Sequence, residues 1–244
     1  ENVFYRGRVI YLLYTDDSIA AAPTDAEIDQ VLHDLIHKAK LKVTDEGKIQ
    51  DFLGVNIDKV DDKTYHLSQP QLIDQILEDL NLMGDSVKTK DTPAPSSRTL
   101  TAHPDGDDFD EHFHYRSVIG KLNHLEKCTR PDISYQVHQC ARYSSKPKRQ
   151  HGEAVKWLGR YLLATRDKGY YMHIDEDEGF TVWADSDFSG NWDPEHSMHD
   201  PNTARSRSGY FITYLGAPLM WKSSLQTEIA LSTCEAEYIC LSQA

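Results

Sequence analysis

Tyr14-Thr15-Asp16-Asp17 sets two neighbouring carboxylates directly after the apolar run Val9–Tyr14. On a tight turn behind a buried strand, such a pair cannot relax fully into solvent without losing its geometry, so it invites a divalent cation. Magnesium, or manganese in its place, prefers carboxylate oxygen and keeps waters that a substrate phosphate can replace. Two such ions about 4 Å apart can activate an attacking oxygen and steady a leaving one. Taken alone, an Asp-Asp pair at a turn reads by default as a solvated hairpin tip.

Other metal chemistry finds less support. The twelve histidines include the close pairs His112/His114 and His196/His199, but neither has partners at a familiar zinc-ligand spacing. No loop alternates acidic ligands around a central glycine, as a calcium site would. The four cysteines, Cys128, Cys140, Cys234 and Cys240, lack both C-x-x-C spacing and disulfide density. They read as free thiols packed as small apolar groups.

The elements that would position the aspartates follow from pattern. Val9–Tyr14 is a strand, Thr15-Asp16-Asp17 a turn and Ser18–Ala22 the returning strand. Thr24 and Glu27 form a capping box ahead of Ile28, Val31, Leu32, Leu35, Ile36 and Ala39, which have helical spacing. Short strands are expected at Leu41–Val43, Phe52–Ile57 and Thr64–Leu67. A second capping box, Ser68 with Gln71, then opens a helix through Leu72, Ile73, Ile76, Leu77 and Leu80. Gly84–Phe113 is rich in Asp, Pro, Ser and Thr and reads as a connecting segment with a domain boundary. Three helices follow: Tyr115 to Leu125, Pro131 to Tyr143, and Ala154 to Leu162. Strands at Tyr170–Ile174, Phe180–Ala184, Gly209–Leu215 and Leu219–Lys222 lead to a helix from Thr233.

With 244 residues, 39% of them hydrophobic and 27% charged, the chain suits one large or two small globular domains. It shows no secretory signal and no membrane span, because Val9–Tyr14 stops at two aspartates, and this places it inside the cell. A net charge of -13 runs against simple phosphate binding. Lys146, Lys148, Arg149, Lys156 and Arg160 lie close together and could form a basic stripe on an acidic body; a solvated helix face explains them equally well.

Tyr14-Thr15-Asp16-Asp17 resembles the catalytic hairpin of reverse transcriptases, and Phe52-Leu53-Gly54-Val55 resembles the primer-contacting segment of copia-type retrotransposon polymerases. Further segments are similar to that family in the same order. They are Tyr115-Arg116-Ser117-Val118-Ile119-Gly120, Thr129-Arg130-Pro131-Asp132-Ile133, Ala184-Asp185-Ser186-Asp187-Phe188, Ser206-Arg207-Ser208-Gly209-Tyr210 and Ala230 through Tyr238. The match is collinear over nearly the whole chain.

The resemblance implies an α+β fold: reverse transcriptase palm and thumb remnant over 1–84, linker and helical connection over 85–168, and the N-terminal part of an RNase H-like domain over 169–244. Asp16 would ligate the polymerase metal with Asp17 beside it as weaker ligand or electrostatic support. Tyr14 would pack near the primer end, and Phe52, Leu53 and Gly54 would contact nucleic acid. Asp185 would be the first RNase H aspartate and Glu237 its glutamate. Asp187, two residues along the strand, competes with Asp185. Glu235 competes with Glu237, the two lying about 200° apart around a helix; Glu237 is preferred because Tyr238–Leu241 best matches the family's apolar helix. Thr15 stands where valine is frequent, another β-branched residue suited to a strand end. Cys240 stands where alanine is common.

The whole protein would copy an RNA template from a DNA primer and cleave the RNA–DNA hybrid, in cytoplasmic virus-like particles and the nucleus. An upstream polymerase aspartate and later RNase H carboxylates are missing, so two half-sites and an inactive chain are expected, with an open sheet edge prone to aggregation. The alternative is a decayed or domesticated module that binds nucleic acid or protein without catalysis, which the acidic charge favours.

Overall fold

The computed structural model describes residues 2–84, 86–95, 100–110, 112–195 and 197–244. The chain divides into two compact units, residues 1–57 and 58–244. No helix among the described residues is long and apolar enough to cross a membrane.

The first unit is built on a meander of β1 (Val3–Arg6), β2 (Val9–Tyr14) and β3 (Asp17–Ala21), all antiparallel. β1 was not legible in the sequence, whereas β2 has its expected bounds. Pairing of Arg6 with Val9 and of Tyr14 with Asp17 leaves two-residue turns, Gly7-Arg8 and Thr15-Asp16. Thr15 is therefore not at a strand end: it sits in the turn at φ 51°, a region that β-branched residues rarely enter. Helix α1 (Asp25–His37) follows N-cap Thr24. The Thr24 hydroxyl donates to the Glu27 carboxylate at 2.8 Å instead of accepting a backbone N–H, and Arg8 donates to the same carboxylate. Two turns further along the same face of α1, buried Asp34 pairs with Lys38 and accepts from Arg6 at 2.6 Å, and the hydrogen bonds from Lys38 and Arg6 hold its carboxyl far below the ordinary range.

Two expected strands differ. Leu41–Val43 has no ladder: Lys40, at φ 59°, ends α1, and the chain beyond it has no partner strand to satisfy its backbone groups. Phe52–Ile57 is not one strand but a tight hairpin of β4 (Asp51–Phe52) and β5 (Val55–Lys59), turning on Leu53 (φ 52°) and Gly54 (φ 76°). Positive φ at both central residues is the turn whose twist matches that of paired strands.

In the second unit, β6 (Thr64–Ser68) leads into α2 (Pro70–Asp79). Its N-cap is Gln69, not the expected Ser68, which closes β6; the Gln69 side chain instead accepts from the Thr129 hydroxyl at 3.0 Å. Helices α3 (Tyr115–Cys128), α4 (Ser134–Ala141, after a 3-10 turn at Pro131–Ile133) and α5 (Arg149–Ala164) enclose the core with α2. Ile73, Ile76 and Leu77 of α2, Val118, Leu122 and Leu125 of α3, and Val155, Leu158 and Leu162 of α5 repeat at three- and four-residue spacing and are buried. Gly159 lets α5 approach α2, since a Cβ there would meet Leu80 Cδ1 at 2.6 Å.

The connecting segment is irregular, as expected, but it is packed. Leu100 and Phe113 are buried in the helical core, Phe109 and Phe113 meet edge to face, and Asp108 bridges Lys148. Asp85, residues 96–99 and Glu111 of this segment lie outside the described residues.

β7 (Tyr170–His173) pairs with β6, Leu67 opposite Tyr170. A separate antiparallel sheet has the order β10 (Ala217–Leu225), β9 (Arg207–Tyr214), β8 (Phe180–Ser186), and α6 (Thr233–Gln243) packs on β8 and β9.

Candidate functional site

At the tip of the β2–β3 hairpin, Asp16 occupies the loop and Asp17 opens β3, and both side chains are exposed beside exposed Tyr14. Behind them the Tyr11 hydroxyl donates to Ser18 Oγ at 2.8 Å and braces the hairpin one residue back from the tip. The two carboxylates thus project from a narrow two-residue turn. Leu53 and Gly54 occupy a second tip in the same unit, where Leu53 exposes 39% of its surface.

The second carboxylate set lies where α6 meets the β8–β9 sheet. Asp185 is paired with Gly209 across the ladder. The Cys240 thiol, fully buried, donates to the carbonyl of Asp185 at 3.1 Å and lies 3.4 Å from that of Gly209. This fastens α6 to β8 at residue 185. Cys240 therefore does more than fill an alanine's space. Glu237 precedes it by three residues, about 60° around the helix and 4.5 Å along it.

The competing carboxylates are otherwise engaged. Asp187 lies beyond the end of β8 and its Oδ1 accepts from Arg207 N–H at 2.6 Å, while its own N–H donates to the Arg207 carbonyl. Glu235 stands at the third position of α6, after N-cap Ser232, and its Oε2 accepts from Leu231 N–H at 2.6 Å. Both carboxylates satisfy backbone donors that would otherwise be orphaned at a strand end and a helix start. Asp185 and half-buried Glu237 carry no such duty in the described contacts. Among the described residues, no three His, Cys, Asp or Glu side chains gather as a metal-holding group.

Two of the five cations of the expected basic stripe are spent on ion pairs. Lys148 is buried and its Nζ donates to Asp108 at 2.7 Å, and Arg149 pairs with Asp107 at 2.9 Å. Of the histidine pairs, His114 caps α3 by accepting from Ser117 N–H, and His112 lies 2.7 Å from Asp110; His196 is outside the described residues. Cys234 is exposed, contrary to the expectation that all four thiols are packed.

Two features escaped the sequence reading. Arg130, 1% exposed, donates from Nε and Nη2 to both carboxylate oxygens of Asp132, and from Nη1 and Nη2 to the carbonyl and hydroxyl of Thr165; Tyr161 donates to Asp132 as well. The Thr-Arg-Pro-Asp-Ile segment is thus a buried latch between α4 and the end of α5. The other is Glu126, 2% exposed, seven residues after Ile119 and four after Leu122. A carboxylate within an apolar helical stripe was the signal for it.

No protein-family model and no solved structure matches the chain. Curated relatives do. The Retrovirus-related Pol polyprotein from transposon TNT 1-94 of Nicotiana tabacum is 32% identical over 95% of this chain, which spans 17% of that protein. That from transposon RE2 of Arabidopsis thaliana is 31% identical over 97% of the chain and 15% of its own length. The putative transposon Ty5-1 protein of Saccharomyces cerevisiae is 30% identical over 97% of this chain and 73% of its own length. The chain belongs to the copia-type retrotransposon Pol family. It spans less than a fifth of the two plant polyproteins. Membership accounts for the collinear order of segments that lie in different elements of the fold: a turn at Tyr14–Asp17, a latch at Thr129–Ile133, a strand end at Asp185 and a helix start at Glu235. The alignments with the Pol relatives extend over 238 and 239 residues.

Proposed function

We propose that this chain is the part of a retrotransposon polyprotein running from the catalytic hairpin of an RNA-directed DNA polymerase to the first two carboxylates of a ribonuclease H. The whole protein then acts on an RNA template, a DNA primer and the RNA–DNA hybrid. The reading rests on the seam between α6 and β8. Cys240 fastens the helix at Asp185, while Asp187 and Glu235 are held by backbone N–H groups. Of four carboxylates in two motifs, this leaves Asp185 and Glu237, one from each element, for a ligand.

In this reading Asp16 ligates the polymerase ion and Asp17 supports it, and Asp185 with Glu237 ligates the nuclease ion. Exposed Tyr14 and the Phe52–Gly54 tip contact nucleic acid. All four carboxylates are hard oxygen donors, the class that magnesium or manganese takes. Bound ions would supply charge stabilisation to the attacking and leaving oxygens of a phosphodiester. Each set offers two carboxylates among the described residues, fewer than a two-ion site uses, so the 244-residue chain is expected to show neither primer extension nor hybrid cleavage.

The test compares carboxamide variants in the polyprotein. Asp185→Asn or Glu237→Gln should lower hybrid cleavage by more than about a hundredfold, the upper end of what losing even an outer-shell partner costs. Asp187→Asn and Glu235→Gln should leave cleavage within about tenfold and lower the melting temperature instead, since they weaken a strand end and a cap. The reverse ranking overturns the assignment.

A further inference from the structure

Between α3, α4 and the β9–β10 hairpin lies a cleft of about 240 Å³ lined by Glu126, Ser134, His138, Tyr210 and Trp221, with Lys127 and Lys222 also bordering it. Buried polar groups line it. The Glu126 side chain is 3% exposed, and its Oε1 lies 3.3 Å from His138 Nε2. The backbone carbonyl of Glu126 accepts from Trp221 Nε1–H at 2.8 Å, which ties the aromatic wall to the residue that carries the carboxylate. Ser134 is 6% exposed and its hydroxyl has no hydrogen-bond partner. A buried hydroxyl of this kind is rare in folded proteins and calls for a group to satisfy it.

The donor and acceptor pattern selects a ligand. An ionised carboxylate takes two parallel N–H donors best, and guanine alone among the bases presents two adjacent donors, N1–H and the N2 amino group, on its Watson–Crick edge. The same base carries the acceptor O6 beside N1–H, which a serine hydroxyl can meet, while His138 Nε2 stays directed at the Glu126 carboxylate and orients it. Tyr210 and Trp221, both half-buried, offer faces against which an unstacked base can lie. A cleft of this size holds a base but not its sugar, which leaves the phosphate outside near the exposed Lys127 and Lys222. An arginine side chain would also suit the carboxylate. Its remaining N–H groups could also donate to the Ser134 oxygen, but its cation would be repelled by the two lysines at the rim, which a neutral base would not be.

We propose that this cleft binds an unpaired guanine base, as a free nucleotide or within a single strand of nucleic acid. The site is separate from the carboxylate pairs at Asp16 and Asp185 and stands or falls without them.

The test titrates the 244-residue chain with guanosine, adenosine, cytidine, uridine and 5′-GMP, read by NMR saturation transfer and calorimetry. Guanosine should bind at least about tenfold more tightly than the other nucleosides, the discrimination a bidentate base contact supplies. 5′-GMP should exceed guanosine at low salt and lose that advantage at high salt. Glu126→Gln should abolish the preference for guanosine over adenosine. Ser134→Ala should weaken guanosine several-fold with an unchanged circular dichroism spectrum, which keeps the proposal testable if the Glu126 variant fails to fold. A hexanucleotide single strand with one guanine binding more tightly than 5′-GMP identifies the strand as ligand; equal or weaker binding identifies the free nucleotide. Four nucleosides of equal affinity, unchanged selectivity in folded Glu126→Gln, or arginine methyl ester displacing guanosine at equal concentration would each overturn it.

Discussion

Arg130 is the residue whose chemistry the fold uses most fully. Its guanidinium is removed from water, yet both oxygens of Asp132 and two oxygens of Thr165 receive its N–H groups. Planar, forked geometry makes arginine fit here where lysine would not. Asp132→Ala leaves the cation without its counter-charge and should destabilise the second unit by about 3 kcal/mol in urea melts, the low end for a buried pair because Asp132 is itself partly exposed. Burial raises the Asp132 carboxyl, but the hydrogen bonds and charge of Arg130, with Tyr161, outweigh it and leave it below the ordinary value. A lowered folded value means that the stabilisation is complete above the unfolded carboxylate pKa of about 3.9 and is lost as pH falls through the folded one. Acid titration should therefore show wild type losing stability below about pH 4 with a steeper slope than Asp132→Ala. The thiols divide by burial: Cys140 is pushed up to about 12 by its apolar surroundings, Cys128 is raised by burial, and Cys240 is enclosed, while Cys234 is open. A maleimide should thus label Cys234 first and Cys140 and Cys240 only on unfolding, as mass spectrometry of digested protein would show. Residue types raised the expectation of carboxylate chemistry at Asp16 and Asp17 and left open which of Asp185 and Asp187 is engaged by the backbone. That turned on a hydrogen bond to Arg207, twenty residues away in sequence, which no local pattern records.

At the scale of elements, the helices and most strands were legible, whereas β1, the β4–β5 hairpin and the segment 41–43 were not, for a physical reason. Ile73, Ile76 and Leu77 repeat at helical spacing over ten residues, so α2 declares itself within its own sequence. A strand of two residues such as β4 is defined by its partner alone, and Phe52–Ile57 reads as continuous until Leu53 and Gly54 are seen to turn. Gly54 inside that run was the available signal. The strand Leu41–Val43 failed for the same reason in reverse: suitable residues without a partner do not make a ladder. Both hairpin tips hold residues ill suited to their backbone, Thr15 at φ 51° and Leu53 at φ 52°. Leu53→Asn, which gives the Asn-Gly pair this turn favours, should stabilise the first unit by about 1 kcal/mol in a denaturant melt. A neutral or negative result would mean that the exposed Leu53 side chain contributes packing that its surroundings do not suggest.

For the whole molecule, the apolar interior is concentrated in residues 58–244, where α2, α3, α4 and α5 share one core. That core was foreseeable from periodicity, but its use of Leu100 and Phe113 from a polar, irregular stretch was not, because isolated apolar residues carry no period. Leu122→Ala, at a fully enclosed position, should cost about 2–5 kcal/mol in the same melts. Gly169→Ala should be comparably severe, since a Cβ there would lie 1.8 Å from the Leu67 carbonyl oxygen and would force β7 away from β6. The proposed ligand carboxylates lie outside this core, on the hairpin of the first unit and on the three-stranded sheet, of which β8 forms one side with β9 as its sole described partner. In an antiparallel strand bonded on one flank, alternate N–H groups face the partner and the solvent. Amides along Phe180–Ser186 should therefore take up deuterium in a two-residue rhythm, fast then slow, through the stretch that contains Asp185. Any strand, from this polypeptide or another, that pairs with the open flank of β8 would silence the fast half of that rhythm, so an isotope map could report strand addition beside Asp185 without any assay of turnover.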